Sequence, residues 1–205
     1  MKSLLLCLTT ACLLLMPGCS DSTTGEKKSE GPPQPVTGRF ALFQMFNGAR
    51  GWSPDVQVLE LHSIHMTEVK SERGKAAAWQ ATFVSPQSAR ARSYTYSVIE
   101  GAGNLHKGVF AGLEEGWSGH RGVSTPFLIA ALKTDSNEVL QTTLKNPKVA
   151  EYDAKNAEKA ISFILEKTDR FPDPAWRVLW GETVGTSSFS VFVDATTGVF
   201  QQIMR

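Results

Sequence analysis

Four histidines, three cysteines, a glycine-flanked serine and two adjacent carboxylates are the side chains of this 205-residue sequence with spacing that invites chemistry. His62 and His65 stand three residues apart, which shares a face on a helix but splits them across a strand. Their flanks, Val58-Leu59-Glu60-Leu61 and Ile64-Met66-Val69, are β-like. A metal would therefore need a bulge and further ligands, and no Cys or carboxylate stands at a suitable spacing. No metal and no other cofactor is expected. A hydrolase built on Gly116-Trp117-Ser118-Gly119-His120 would use Ser118 and His120 with a distant acid such as Asp135. A nucleophile elbow carries Gly two places after its serine, where this chain has His120, and sits between a strand and a helix. A glycine-rich turn with one aromatic anchor fits the segment better. Glu114 and Glu115 read as solvated loop charges, because paired acid/base carboxylates come from separate elements. Neither phosphate-loop pattern occurs among the glycines from 101 to 122. The sequence is expected not to encode an enzyme, and no catalytic residue is assigned.

The cysteines carry a different message. Cys7 and Cys12 lie in the apolar run Leu4–Leu15, which follows Lys2 and ends at Met16-Pro17-Gly18-Cys19. A short positive start, an apolar run too brief to span a bilayer and a small residue before the cut describe an export signal over residues 1–18. Cys19 is then the one cysteine left, unable to form an internal disulfide and marked for other chemistry. Leu15-Met16-Pro17-Gly18-Cys19 resembles the lipobox of bacterial lipoproteins. The resemblance implies that Cys19 becomes the acylated first residue, with three acyl chains, palmitate among them. Two or more chains make such an anchor stable where one is marginal. Ser20, standing where an Asp would retain the protein at the inner membrane, implies a place in the outer membrane, facing the periplasm. Membrane lipid is thus the first expected partner.

Charge and composition narrow the rest. Lys and Arg number 21 against 20 Asp and Glu, so no net field favours nucleic acid. Residues 19–37 contain one aliphatic side chain and cannot bury enough surface to offset chain entropy, which predicts a disordered tether. Lys27-Lys28 could meet anionic lipid, but Glu26 and Glu30 cancel them.

From Gly38 the pattern becomes that of a packed α+β domain. Leu42, Met45, Phe46 and Ala49 form a helical stripe, with Thr37 as N-cap and Gly51 as the stop. Strands are expected over 56–69, 75–84, 92–99 and briefly 107–111. Phe127–Leu132 reads as a buried strand, and Asp135 with Glu138 as the capping box of a short helix closed by Asn146-Pro147. Asp153 is expected to cap a helix bearing Ala157, Ala160, Ile161, Ile164 and Leu165. Strands then follow at 176–180, 189–194 and 199–204. Ala78-Trp79 matches Ala175-Trp176, and Tyr94–Val98 matches Phe189–Val193, so two copies of a helix-plus-three-strand unit are expected. The boundaries are unit one over 38–112, a connector over 113–150 and unit two over 151–205.

Phe189-Ser-Val-Phe-Val-Asp194-Ala-Thr-Thr-Gly198 resembles the closing hairpin of PepSY domains. The resemblance covers roughly 150–205 and more faintly 38–100. It implies an extracytoplasmic α+β module, often a non-catalytic one that binds or inhibits peptidases. At its base is a turn in which Asp194 bonds backbone two residues on and Gly198 supplies a positive φ. Trp79, Trp176 and Trp180 are expected in the core, while Trp117, in the glycine-rich connector, is the candidate for partner binding. The reading that results is a lipid-anchored, non-catalytic module that binds a protein or peptide in the cell envelope. The alternative is a small-ligand carrier with its site between the two halves.

Overall fold

The computed structural model describes residues 31–204 apart from 104, 120 and 121. The expected signal peptide, most of the tether, Cys19 and His120 lie outside the described residues. In chain order the elements are β1 (Val36–Thr37), α1 (Gly38–Trp52), β2 (Gln57–Ile64), β3 (Lys75–Ala76), β4 (Ala78–Ser85), β5 (Arg90–Ser97) and β6 (Gly108–Gly116). A 3-10 turn (Ile129–Ala131), α2 (Ser136–Leu144), α3 (Pro147–Lys155), β7 (Ile161–Glu166), β8 (Ala175–Trp180), β9 (Ser190–Asp194) and β10 (Phe200–Met204) follow.

Eight strands form one antiparallel sheet in the order β10-β9-β8-β7-β2-β4-β5-β6. It consists of two four-stranded meanders joined through their first strands, β2 and β7. The seam has three register pairs: Glu60 with Glu166, Leu61 with Leu165, and His62 with Ile164. Alternation sends Trp79, Ala81 and Phe83 of β4, Phe163 and Leu165 of β7, and Trp176, Val178 and Trp180 of β8 to the face packed with Leu42, Met45, Val139 and Val149 from the helices. A register shift in β2 between Val58 and Glu60 changes the phase. Val58 and Leu61, three residues apart, both enter this core, while Leu59 joins Val84 and Ala91 on the opposite face.

The core is ordered by three indoles whose N–H groups all find acceptors, as buried polar groups require. Trp79 donates to the Val36 carbonyl at 3.0 Å and Trp176 to the Thr134 carbonyl at 2.9 Å, sequence separations of 43 and 42. Each acceptor lies two residues before a helix, so the two tryptophans fix the starts of α1 and α2 in the same way. Trp180 donates to Asp153 Oδ1 at 2.9 Å. The helix starts also meet each other. Arg39 N donates to Asp135 Oδ1 at 2.9 Å and Gly38 N to Ser136 Oγ at 2.8 Å. Asp135 meanwhile caps α2, accepting from Ser136 N and forming the expected box with Glu138.

Several expectations differ from the structure. The helix of Asp153–Leu165 does not exist: Asp153 sits inside α3, and Ile161–Glu166 is strand β7 in the middle of the sheet. Ile161, Ile164 and Leu165 mimic a helical stripe because Ile-Ser-Phe-Ile-Leu-Glu fits a helical period and a strand period together. The helices of the second half are α2 and α3, and each half contributes four strands to the sheet, not three. Phe127–Leu132 is a 3-10 turn preceded by a single bridge from Phe127 to Val58. β4 and β7 already occupy both edges of β2, leaving only its first residues free. Thr37 is in the N-cap position but makes no side-chain cap bond, Asp135 and Ser136 doing that work instead, and α1 runs through Gly51 to Trp52. Of the expected boundaries, 112/113 falls within β6 and 150/151 within α3. The Asp194 turn is as expected: Oδ1 accepts from Thr196 N and Thr197 N, and Gly198 has φ 73°.

Gly38 lies against the Trp79 and Trp176 indoles, and a Cβ there would stand 2.6 Å from Trp176 Cη2 and 3.0 Å from Trp79 Cη2. Gly38→Ala should therefore destabilise the fold by about 1–3 kcal/mol through overpacking, measured as a lowered urea midpoint at unchanged slope.

Candidate ligand-binding face

The helices cover one face of the sheet; the face opposite carries the titratable side chains. Glu60 and Glu166 stand directly across the seam from one another, an arrangement of like charges that costs energy in a sheet. Glu60 Oε1 accepts from Thr82 Oγ1 at 3.3 Å and Glu166 Oε2 from Ser124 Oγ at 3.0 Å. His62 lies two residues beyond Glu60, and its burial lowers the imidazole pKa against the opposing pull of Glu60.

One diagonal further, Arg177 of β8 pairs with Phe192 of β9. The guanidiniums of Arg177 and Arg170 each stand 5.3 Å from the Phe192 ring centre, within cation–π range. Arg177 is half-buried, and that burial lowers its pKa; Glu166 opposes the shift and Arg170 adds to it. Arg177 Nε reaches Ser190 Oγ at 3.3 Å, and Arg170 Nη1 contacts Met204 Sδ. Neither guanidinium is ion-paired to a described carboxylate. These groups border a cleft of about 270 Å³ whose lining includes Val123, Glu166, Phe192 and Met204.

A second cleft on the same face, about 250 Å³, opens beside His62, Ser162 and Glu182. Ser162 Oγ lies 2.7 Å from His65 Nε2, the spacing of a serine–histidine pair. The hydroxyl also stands 2.6 Å from the Gly181 carbonyl. Its single proton goes to that carbonyl, so the imidazole donates to the serine. That polarity is opposite to an activated nucleophile, whose proton must pass to histidine. The pair ties β7 to the segment after β2. Burial lowers the His65 pKa, opposed by Glu182.

The residues singled out from sequence are scattered. His62 and His65 both lie near Ser162, and no group of three His, Cys, Asp or Glu side chains forms a metal-binding cluster among the described residues. Asp135 is engaged at two helix starts, and Ser118 is exposed on the loop after β6. Glu114 belongs to β6, where it accepts from Trp52 Nε1 at 2.6 Å and stands 3.6 Å from Arg90 Nε; Glu115 also lies within this strand. Trp117 is half-buried against Leu59, Val84 and Ala91, and its Nε1 is buried without a partner among the described residues. On the helix side, the space between the halves is filled by Trp79, Phe163 and Trp176, with ring centres 6.4 Å apart. The Arg170–Arg177 pair escaped the sequence reading. Its signal was Arg177 at an outward position of a strand otherwise made of Ala, Trp, Val and Leu.

No protein-family model matches the chain, so the PepSY resemblance gains no support there, and no curated protein matches it. A solved structure from Clostridium difficile 630, described as a "putative lipoprotein", is similar to this chain at 9% identity and a TM-score of 0.49. The match covers 85% of this chain and 95% of that one.

Both imidazoles titrate below the 6.5 usual for histidine, so between the two values the unfolded chain holds protons that the folded one does not. Their contribution to stability is complete above pH 6.5 and is lost as the pH falls below it, until the folded imidazoles protonate. Asp55, held at about 2 by Ser53, Ser85 and the Gln87 N–H, acts only below the ordinary carboxylate range. Urea unfolding compared at about pH 7.5 and about pH 5 should show the loss, and His62→Gln with His65→Gln should flatten it.

Proposed function

We propose that the protein is a lipid-anchored, non-catalytic module of the cell envelope that binds a protein or peptide ligand on the sheet face opposite its helices. The observation that carries the binding reading is the asymmetry of the sheet. Three helices cover one face, while the other presents the seam carboxylates, two guanidiniums without an ion-pair partner among the described residues and two clefts. Arg177 and the seam carboxylates are half-buried, charges costly to leave uncompensated, and a ligand would supply partners. The helix-side space between the halves, by contrast, is occupied by aromatic rings.

The anchor rests on sequence: Gly18-Cys19 closes the apolar leader, and Cys19 is the one cysteine beyond that run. Among the described residues, no helix is long and apolar enough to cross a membrane. The residues from Ser20 onward, polar and rich in Pro and Gly, suit a spacer that holds the domain off the lipid headgroups. Ser20 after Cys19 favours the outer membrane, facing the periplasm. The Asp194–Gly198 hairpin supports a PepSY-like relationship for the C-terminal half.

Metabolic labelling tests the anchor. The wild-type chain should incorporate radioactive palmitate and sediment with membranes; Cys19→Ser should lose the label and appear in the soluble fraction. A membrane-bound, unlabelled wild-type protein would rule the acyl anchor out. For the binding face, a photo-crosslinking residue replacing Gln202, opposite Phe192 on the open face, should yield adducts in intact cells. The same residue at Glu151 on α3 should not. Adducts of equal yield at both positions would count against the assignment.

A further inference from the structure

We infer that the cleft between Arg170, Arg177 and Phe192 is a carboxylate-binding subsite that accepts a single carboxylate carried on a small apolar body. The inference rests on the reading of the sheet face opposite the helices as a binding face and names the chemistry that face would recognise; it does not depend on the anchor.

Guanidinium groups prefer planar oxyanions, which they bind through paired N–H donors. Here two of them approach one aromatic ring at the same distance, 5.3 Å. The ring holds them through the cation–π contact, and both line the same cleft. Among the described residues, Arg177 spends one weak hydrogen bond on Ser190, and Arg170 Nη1 contacts the soft sulfur of Met204. Both guanidiniums border this one cleft, where an anion would offset their like charge.

The rest of the lining sets selectivity. Glu166 and Asp169 border the same cleft, so its net charge is close to zero. A phosphate dianion would meet those carboxylates, whereas a monoanionic carboxylate can be held by the arginines alone. Val123, Phe192 and Met204 give the ligand apolar surface. A volume of about 270 Å³ suits one residue-sized group. That group has two natural sources, a free carboxylic acid or the C-terminal residue of a peptide, whose capture is a recurrent recognition mode.

Isothermal titration of the full-length protein in detergent tests this, with the tripeptide Ala-Ala-Leu, its C-terminal amide, 4-methylpentanoate and inorganic phosphate as probes. The tripeptide should bind and its amide should bind about tenfold or more weakly, as expected for loss of a charge-assisted hydrogen bond. Arg177→Gln and the exposed-site Arg170→Gln should each weaken the tripeptide by a similar factor, with melting temperatures near wild type showing that the fold is intact. Affinity for 4-methylpentanoate equal to that for the tripeptide assigns the site to free acids; a preference for the tripeptide assigns it to peptide termini. Either supports the inference. Equal binding of acid and amide, tighter binding of phosphate, no effect of either substitution, or no binding of any carboxylate overturns it. The crosslinking at Gln202 keeps the two readings apart: adducts without carboxylate binding sink the subsite alone, and loss of both sinks the binding face.

Discussion

The junction of α1 and α2 at Asp135 and Ser136 is the constraint from which the rest of the fold follows. Two helices starting about a hundred residues apart in sequence place their first N–H groups against the same two side chains. A helix start is the positive end of the peptide dipole and leaves several N–H groups without internal partners. Bringing two such ends together would repel unless a carboxylate stood between them. Asp135 supplies it, and Arg39, 3.9 Å from its other oxygen, helps neutralise it. With the helix starts fixed, Val36 and Thr134 present their carbonyls to Trp79 and Trp176. The indoles in turn set the spacing between the sheet and the helices above it. The seam between β2 and β7 is short in register pairs, so this layer of rings and caps, more than the ladder, joins the two meanders.

That arrangement explains why the functional asymmetry falls where it does. Everything needed to close the core lies on the helix side, including the aromatic residues that fill the space between the halves. The opposite face carries a smaller apolar cluster of Leu59, Val84 and Ala91, and around it the sequence departs from apolar alternation: Glu60, His62, Glu166 and Arg177 all point that way. The shift at Leu59 matters here, because an unbroken β2 would have turned Glu60 into the core and sent Leu61 out.

Much of this was legible in the residues, and the failures have physical causes. β4, β5, β8 and β9 announced themselves through alternation around Trp79, Tyr94, Trp176 and Phe192, and the match of Ala78-Trp79 to Ala175-Trp176 identified strands that occupy corresponding places in the two meanders. Asp135 and Glu138 spelled out a capping box. β7 was hidden because Ile-Ser-Phe-Ile-Leu-Glu satisfies a helical period and a strand period together, and only its long-range pairing decides between them. The cap shared between α1 and α2 had no local signature at all: Thr37 is a good N-cap by type, and nothing near it in sequence shows that a serine ninety-nine residues later takes its place. The arginine pair was equally invisible, since Arg170 comes from a loop and meets Arg177 only across the folded strands.

The outer edge at β6 has its own implication. Its pairing with β5 shifts between Arg92 and Tyr94, and Leu113, in the displaced stretch, is 92% exposed. A straight strand ending a broad sheet would offer its unpaired backbone to a neighbouring molecule. The irregularity bends that rim, and Glu114 and Glu115 add charge to it. Molecules crowded side by side on a surface could then stay separate, since the border that would otherwise zip them into a shared ribbon lacks a flat row of donors and acceptors to offer.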